Sequence, residues 1–479
     1  MLADELARVA KGEVLADDWN RRVYSVDASH YEVEPAAVVC PKDANDVQEI
    51  MRYAFAKKLP VTGRGAGTGL LGQSLSRGLV LDFTKHMNRI LETGDDYVVV
   101  QPGIVKAVLD KELKKRNKFL PPDPASSSYC TIGGMIADNS SGVHCLGYGN
   151  TIDFVDAVDL VYADGSAGHA SAAGCDGRMA SLKSLLAKHS DLVRNGYPKV
   201  SKNSCGYRLD AVMRDRFQPH KVLAASEGTL ALVTSARFKI LDLPERRCLL
   251  VLGFEDVIGA VRAAPAILQF SPVALELLDH TVFLHSKSAE KGSLLYVEFA
   301  GAKAQEQLEQ CRQKMQGIAK AAEYASDEQS LAKIWSARKG ALNSIMKMTV
   351  GSRRPIGLVE DTVVHPSMLA EHTESILAAY RNHGLQYVLY GHVGDGNLHT
   401  RPIVDVSSES EMIEKLARRI FSETIRKGGT ITGEHGDGLA RVGYIKMMYG
   451  KKLTALFRQV KELFDPGYLL NPGKKVPII

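Results

Sequence analysis

Two short segments hold most of the residues that can do chemistry. In Tyr390-Gly391-His392-Val393-Gly394-Asp395-Gly396-Asn397-Leu398-His399, two imidazoles flank an Asp-Gly pair between apolar runs. Asp-Gly at such a place favours a two-residue hairpin turn. Centred on Asp395-Gly396, that turn sets Gly394 against Asn397, Val393 against Leu398 and His392 against His399. Directly opposed side chains have Cβ atoms about 4.5–5.5 Å apart. The two rings could then share one divalent metal; two ordinary strand histidines are the alternative. The second segment is Gly433-Glu434-His435-Gly436-Asp437-Gly438. Glu434 could complete a site of two histidines and one carboxylate with a position open for substrate. Neighbours in extended chain face opposite ways, so His435 would point elsewhere and could act as general base. A glycine-rich turn around a structural salt bridge is the competing reading.

A third segment is built for a phosphate. Gly63-Arg64-Gly65-Ala66-Gly67-Thr68-Gly69-Leu70-Leu71-Gly72-Gln73-Ser74 packs five glycines into its first ten residues. Such a loop lets backbone N–H groups approach an anion. Gly67 to Gly72 matches G-x-G-x-x-G, but the dinucleotide fingerprint needs a helix to follow. Here Leu79-Val80-Leu81-Asp82-Phe83 already reads as a strand, and no crossover helix fits. A P-loop fails because no lysine follows Gly72. Strand, phosphate-cradling loop, strand is the surviving pattern, with a plain glycine-rich turn as its rival.

Composition narrows the field. The 479 residues are 45% hydrophobic and 24% charged, as in ordinary globular proteins of two or three domains. The net charge of +5 is small, and no basic run with interleaved aromatics argues for nucleic acid. Seven cysteines, none in C-x-x-C, argue for reduced thiols, no Fe–S cluster and a cytoplasmic setting. The acidic start Met1-Leu2-Ala3-Asp4-Glu5-Leu6 has no signal-peptide core. No apolar run approaches the ~18 residues a membrane helix needs. Peripheral association through a partner stays open.

The elements around these segments follow from periodicity. Strands are expected at Ala37–Pro41, Tyr97–Val100, Phe154–Val161, Leu230–Ile240, Leu249–Phe254 and Leu294–Phe299. Helices are expected at Asn45–Lys58 with Asp43 or Asn45 as cap, Val105–Lys115, Val257–Leu268, Ala304–Glu323, Leu331–Met348, Met412–Lys427 and Lys451–Phe464. Pro121 to Gly149 shows little regular pattern, and such long polar stretches are usually functional. Leu241–Glu245 reads as a domain boundary.

Taken in order, Gly63–Ser74, Pro122–Pro124, Thr131–Gly134, Glu227–Leu230, Gly391–His399, Gly433–Gly438 and Asn471–Lys474 resemble the FAD-linked oxidase family with the vanillyl-alcohol-oxidase type of flavin fold. The likeness runs from about Tyr31 to Lys474. Its branch is that of D-2-hydroxyacid dehydrogenases acting on D-lactate, glycolate or D-2-hydroxyglutarate. The resemblance implies an α+β protein with a two-subdomain FAD-binding domain (35–244), an α+β substrate or cap domain (245–440) and a C-terminal segment (441–479) returning to the flavin. An N-terminal helical segment (1–34) precedes them.

The resemblance also implies roles. Gly63, Arg64, Gly65, Ala66, Gly67, Thr68, Gly69, Gln73 and Ser74 would wrap the FAD pyrophosphate. Pro122, Ser126, Thr131, Gly133, Gly134, Asn139, Gly142 and Gly149 would line the flavin, joined by Glu227, Gly228 and Val233, with Asn471 near its ring. His392, His399 and Glu434 correspond to ligands of Zn²⁺ or a similar ion, and His435 to the base. Arg338 matches a substrate-carboxylate arginine; Arg353 or Arg354 would add a second positive charge. Asp437 stands where many relatives are apolar, and Gly147 where a basic residue is frequent. No residue matches a covalent flavin attachment site, so FAD is expected to be non-covalent.

The implied chemistry is hydride transfer from a 2-hydroxyacid to flavin, with a metal lowering the hydroxyl pKa and His435 collecting its proton. Electrons would leave to an Fe–S subunit, an electron-transfer flavoprotein or a quinone. The rivals are a same-fold oxidase of another alcohol, a metal-dependent hydrolase, and a non-catalytic flavoprotein subunit.

Overall fold

The strand Val61–Arg64 ends where the glycine-rich segment begins, and the next strand, Leu79–Asp82, pairs with it in parallel. Parallel neighbours need a crossover of a dozen residues or more; residues 65–78 supply it without a helix. Ala37–Cys40 adds to the other side of Leu79–Asp82 in parallel, and Glu13–Leu15 pairs antiparallel outside it. The first 34 residues are thus more than a helical leader: they contribute a strand. The buried Asp46 carboxylate accepts the amides of Lys11, Gly12 and Lys42, which fixes that strand in place. The helix Ala44–Lys57 is capped by Asp43, whose side chain accepts from the Asp46 amide, as its sequence signature requires.

The computed structural model describes residues 2–284, 292–346, 349 and 351–477, and the family of sheets is clear in it. A five-stranded antiparallel sheet runs in the order Ile90–Thr93, Tyr97–Val100, Leu232–Lys239, Val155–Val161, Ala167–Ser171. A seven-stranded antiparallel sheet follows in the order Lys320–Ala325, Arg247–Phe254, Ser293–Ala300, Ala274–Leu278, Tyr387–His392, Asn397–Val404, Arg354–Pro355. Helices Val257–Leu268 and Ala304–Met315 cover one of its faces. The other face, with Leu249, Val251, Leu278 and Tyr390, packs on the helix Glu328–Met346 through Leu331, Ile334 and Trp335. At the far end of the chain Val61 N–H donates to Leu469 and Asn471 N–H to Val61. The C-terminal segment therefore lies along the edge strand that launches the glycine loop.

Several expectations change. The helix expected to reach Glu323 stops at Met315, and Lys320–Ala325 is an edge strand. Gly317 at φ 80° turns the chain, and pairing with Arg247–Phe254 outweighs local helix propensity. Pro121–Gly149 contains a helix, Ile132–Asp138, whose N-cap Thr131 accepts from the Gly134 amide; its Gly-Gly start masked the period. Leu241–Asp242 pairs with Lys118–Phe119. The helix from Glu328 is described to Met346; residues 347–348 lie outside the described residues.

The hairpin also differs. Val393–Asp395 form a 3-10 turn closed by Gly396 at φ 70°, so four residues connect the strands. His392 opposes Asn397, and His399 opposes Tyr390. The pairing is displaced by two residues from that of a two-residue turn. An even displacement leaves every side chain on its face, so both imidazoles still point the same way.

Candidate active site

His392 and His399 meet edge to face, with ring centroids 5.3 Å apart. The loop after Thr430 brings Glu434 between them. Its Oε1 lies 3.0 Å from His392 Nε2 and 3.1 Å from His399 Nε2. His435 does not turn away from the pair. Its ring stacks on His399 at 4.7 Å, and its Nε2 lies 3.8 Å from the same Glu434 oxygen. The reason is that residues 433–435 are not extended: Asp361 Oδ2 accepts the amides of Gly433, Glu434 and His435 at 3.0, 3.1 and 2.9 Å. Arg441, fully buried, braces the same carboxylate oxygen at 3.0 Å.

Each imidazole is oriented from behind. His392 Nδ1–H donates to Glu276 Oε1 at 2.6 Å, while His399 and His435 both donate from Nδ1 to Glu360 at 2.8 Å. All three Nε2 atoms are thereby aimed at one region. Burial favours a neutral His392, but Glu276 and Glu434 overcome it and raise its pKa to about 9. Burial likewise opposes the charge on Glu434; Lys202 and His392 outweigh that and hold its carboxyl well below the ordinary range. Lys202 Nζ and the Ser141 hydroxyl both donate to Glu434 Oε2, Lys202 at 3.0 Å. Oε1 is left for a cation.

The residues fit a divalent ion. Nε2 of His392, Nε2 of His399 and a Glu434 oxygen all lie within 4.8 Å of one another, two nitrogens and one oxygen with the Nδ1 sides already satisfied. Glu360, His399 and His435 are equally close. There, however, the Nδ1 protons fill the carboxylate, and Arg441 stands 3.3 Å away, so a cation would meet a guanidinium.

His392, His399, Glu434 and His435 line a cavity of about 490 Å³. Residues Gly63 to Gly69, with Gln73 and Ser74, line it, as do Ser126, Thr131, Gly133, Gly134, Gly142, Glu227, Gly228 and Val233. Gly65 is held so near Thr131 that a Cβ would sit 2.1 Å from its hydroxyl. Gln73 donates from Nε2 to the His435 carbonyl, joining the glycine loop to the loop that carries Glu434 and His435. Four residues expected at the flavin stand outside this wall. Asn139, in a left-handed cap, accepts the Ile152 amide; Gly149 turns the chain at φ 103°; Pro122 is buried. Asn471 staples three segments, donating to Gln73 and Glu227 carbonyls at 2.9 and 2.6 Å and accepting from Thr62 at 3.0 Å.

Arg338 lines the cavity, one arm on Glu276 Oε2, its buried Nε without a hydrogen-bond partner among the described residues. Arg353 is instead spent on an exposed pair with Glu409. Arg354 is exposed and borders a smaller cavity of about 230 Å³ with His30 and Arg401. Sequence reasoning passed over Glu276, Glu360, Asp361, Lys202 and Arg401. One signal was available: carboxylates inside the apolar runs Ala274–Leu278 and Ile356–Val364, where burial demands a partner.

Known proteins resemble this chain over most of its length. A family described as "FAD binding domain" matches residues 35–171, and one described as "FAD linked oxidases, C-terminal domain" matches 243–475. The glycolate oxidase subunit GlcD of Bacillus subtilis (strain 168) is 31% identical, covering 96% of this chain and 93% of its own. D-2-hydroxyglutarate dehydrogenase of Pantoea ananatis is 31% identical over 97% of this chain. The chain spans about half the length of that relative, 50%. D-lactate dehydrogenase of Archaeoglobus fulgidus is 28% identical over 99% and 98% of the two chains. Among solved structures, p-cresol methylhydroxylase superposes with a TM-score of 0.71 at 16% identity, covering 99% of this chain and 96% of its own; that shows the fold alone. No helix among the described residues is long and apolar enough to cross a membrane. On fold, family models and full-length relatives together, the chain is an α+β flavoprotein-type oxidoreductase that belongs to the FAD-linked oxidase family.

Proposed function

We propose that this chain oxidises a D-2-hydroxyacid to the 2-oxoacid with non-covalently held FAD and a divalent cation, passing the electrons to an external acceptor. One observation carries the reading. Arg338 and a set of two imidazoles and one carboxylate line the same cavity that the FAD-binding segments line. A neutral alcohol needs no such guanidinium.

Arg338 binds the substrate carboxylate with the part of its guanidinium that lines the cavity, which fixes the hydroxyl-bearing carbon. His435 takes the hydroxyl proton at Nε2, and Glu360 on its Nδ1 stabilises the imidazolium that forms. Bound FAD would supply the hydride acceptor, and a cation on His392, His399 and Glu434 would polarise the hydroxyl. The names of the relatives support a 2-hydroxyacid, and the word "subunit" in GlcD supports a partner such as an Fe–S protein; an electron-transfer flavoprotein or quinone would serve equally.

Within that class a hydroxyacid with a second carboxylate suits the site best. Ala28, Leu70 and Arg401 wall both the main cavity and the smaller one with Arg354 and His30, so positive charge flanks the substrate end twice. Relatives named D-2-hydroxyglutarate dehydrogenase agree with this. The test is stopped-flow, anaerobic bleaching of the flavin by a panel of D- and L-hydroxyacids of one and two carboxylates. Bleaching by a D-acid with release of the 2-oxoacid is expected. A flavin that no hydroxyacid reduces would leave an electron-transfer subunit instead.

A further inference from the structure

Glu276 stands at the centre of the seven-stranded sheet, in Ala274–Leu278, with 1% of its surface exposed. Leu277 opposes Gly391 and Leu278 opposes Tyr390, so the same antiparallel register sets Glu276 against His392. Alternation along the strand turns it to the face packed on the helix Glu328–Met346, which carries Arg338. Its two oxygens are divided between them. Oε1 accepts from His392 Nδ1 at 2.6 Å, and Oε2 accepts from Arg338 Nη2.

We propose that Glu276 is a positioning residue that couples carboxylate binding at Arg338 to cation binding at His392, each strengthening the other. The inference rests on the metal reading above.

The physical path is short. With the cavity empty of anion, Arg338 places its whole charge on Glu276 and weakens that carboxylate as an acceptor. A carboxylate ligand in the cavity that Arg338 lines shares the guanidinium. Glu276 then draws harder on the His392 N–H, and Nε2 becomes a better donor to a cation. Linkage makes the effect reciprocal: a bound cation raises anion affinity by the same factor. Lys202 and Ser141 pin the far oxygen of Glu434, so the second ligand does not shift to absorb the change.

The test measures Zn²⁺ affinity by competition with a chromophoric chelator. The flavin-loaded parent, Glu276→Gln and Arg338→Ala are compared, with and without propionate, a carboxylate that lacks the chelating hydroxyl. In the parent, saturating propionate should tighten Zn²⁺ binding at least about fivefold. In both variants the increment should vanish, and Glu276→Gln should also bind Zn²⁺ about 10–100-fold more weakly. Co²⁺ in place of Zn²⁺ should show a shifted d–d spectrum on adding propionate to the parent and not to Glu276→Gln. Flavin absorbance reports that the variants are folded. A parent that binds Zn²⁺ indifferently to propionate, or a Glu276→Gln chain that keeps the increment, overturns the coupling alone. A parent that binds no cation overturns the metal reading and the coupling with it.

Discussion

Glu360 Oε1 accepts from Nδ1 of His435 at 2.8 Å, and the second oxygen of the same carboxylate holds His399 at 2.8 Å. Burial opposes the Glu360 charge, but His435, Arg401 and His399 outweigh it and keep the carboxyl ionised far below its usual range. One group thus orients both a prospective metal ligand and the prospective base. Glu360→Gln should retain FAD and lower turnover about 10–100-fold, since an amide cannot accept from both rings. Steady-state kinetics beside the flavin absorbance check it; wild-type turnover would remove Glu360 from the mechanism.

His435→Ala should leave the flavin bound and cut turnover at least ~100-fold. Single-turnover bleaching of a metal- and flavin-replete sample measures the step directly. An unchanged rate would assign proton removal to another group.

Removal of the cation is a separate probe. Dialysis against a strong chelator should leave the yellow colour and abolish bleaching by hydroxyacids, and Zn²⁺, Co²⁺ or Mn²⁺ should restore it. Glu434→Gln should not recover, because the Oε1 shared by both Nε2 atoms at 3.0 and 3.1 Å loses its charge. Rapid bleaching of the metal-free protein would refute a role for the ion.

The glycine loop admits a steric test. At Gly65 a Cβ would fall 2.1 Å from Thr131 Oγ1, and that threonine caps the helix Ile132–Asp138 on the opposite wall. Gly65→Val must push loop and helix apart, so the purified chain should be colourless, read as the ratio of flavin to protein absorbance. A variant with full flavin content would show that the loop does not grip the cofactor.

A pH dependence comes from the boundary between the FAD-binding part and the seven-stranded sheet. His144 donates to Asp123 at 2.6 Å and faces Glu298 at 3.3 Å, while Arg247 holds Glu298 at 2.8 Å. Burial lowers the His144 pKa, but the two carboxylates prevail and raise it to about 10. Glu298, despite its burial, is held at about 2 by His144 and Arg247. A raised histidine stabilises fully below its unfolded pKa of about 6.5 and loses that contribution as pH climbs through its folded value. A depressed carboxylate contributes above about 4.3 and fails as pH falls through its folded value. The latch should be strongest from about pH 4.3 to 6.5. Thermal unfolding between pH 6.5 and 10 should lose more stability in the parent than in His144→Gln; equal slopes would contradict the latch.

Much of this was legible in the chain itself. The strand–glycine loop–strand pattern at Val61–Asp82 needs only local information, because φ freedom and β-propensity are properties of the residues. The hairpin placed His392 and His399 on one face even though its turn is two residues longer than Asp-Gly suggests, since face depends only on parity. Glu434 and His435 announced themselves by their glycines. Tertiary structure decided the rest. Whether Ala319–Glu323 continues a helix or joins a sheet edge is settled by Arg247–Phe254, some seventy residues away in sequence. Glu276 and Glu360 look like misplaced charges in apolar runs until His392, Arg338, His399 and His435 arrive from distant segments to satisfy them. Arg338 is a helix-surface cation until Glu276 takes one arm and leaves the other facing the cavity. A buried charge is tolerated only with its partners in place, and those partners are chosen by topology, not by neighbours in sequence.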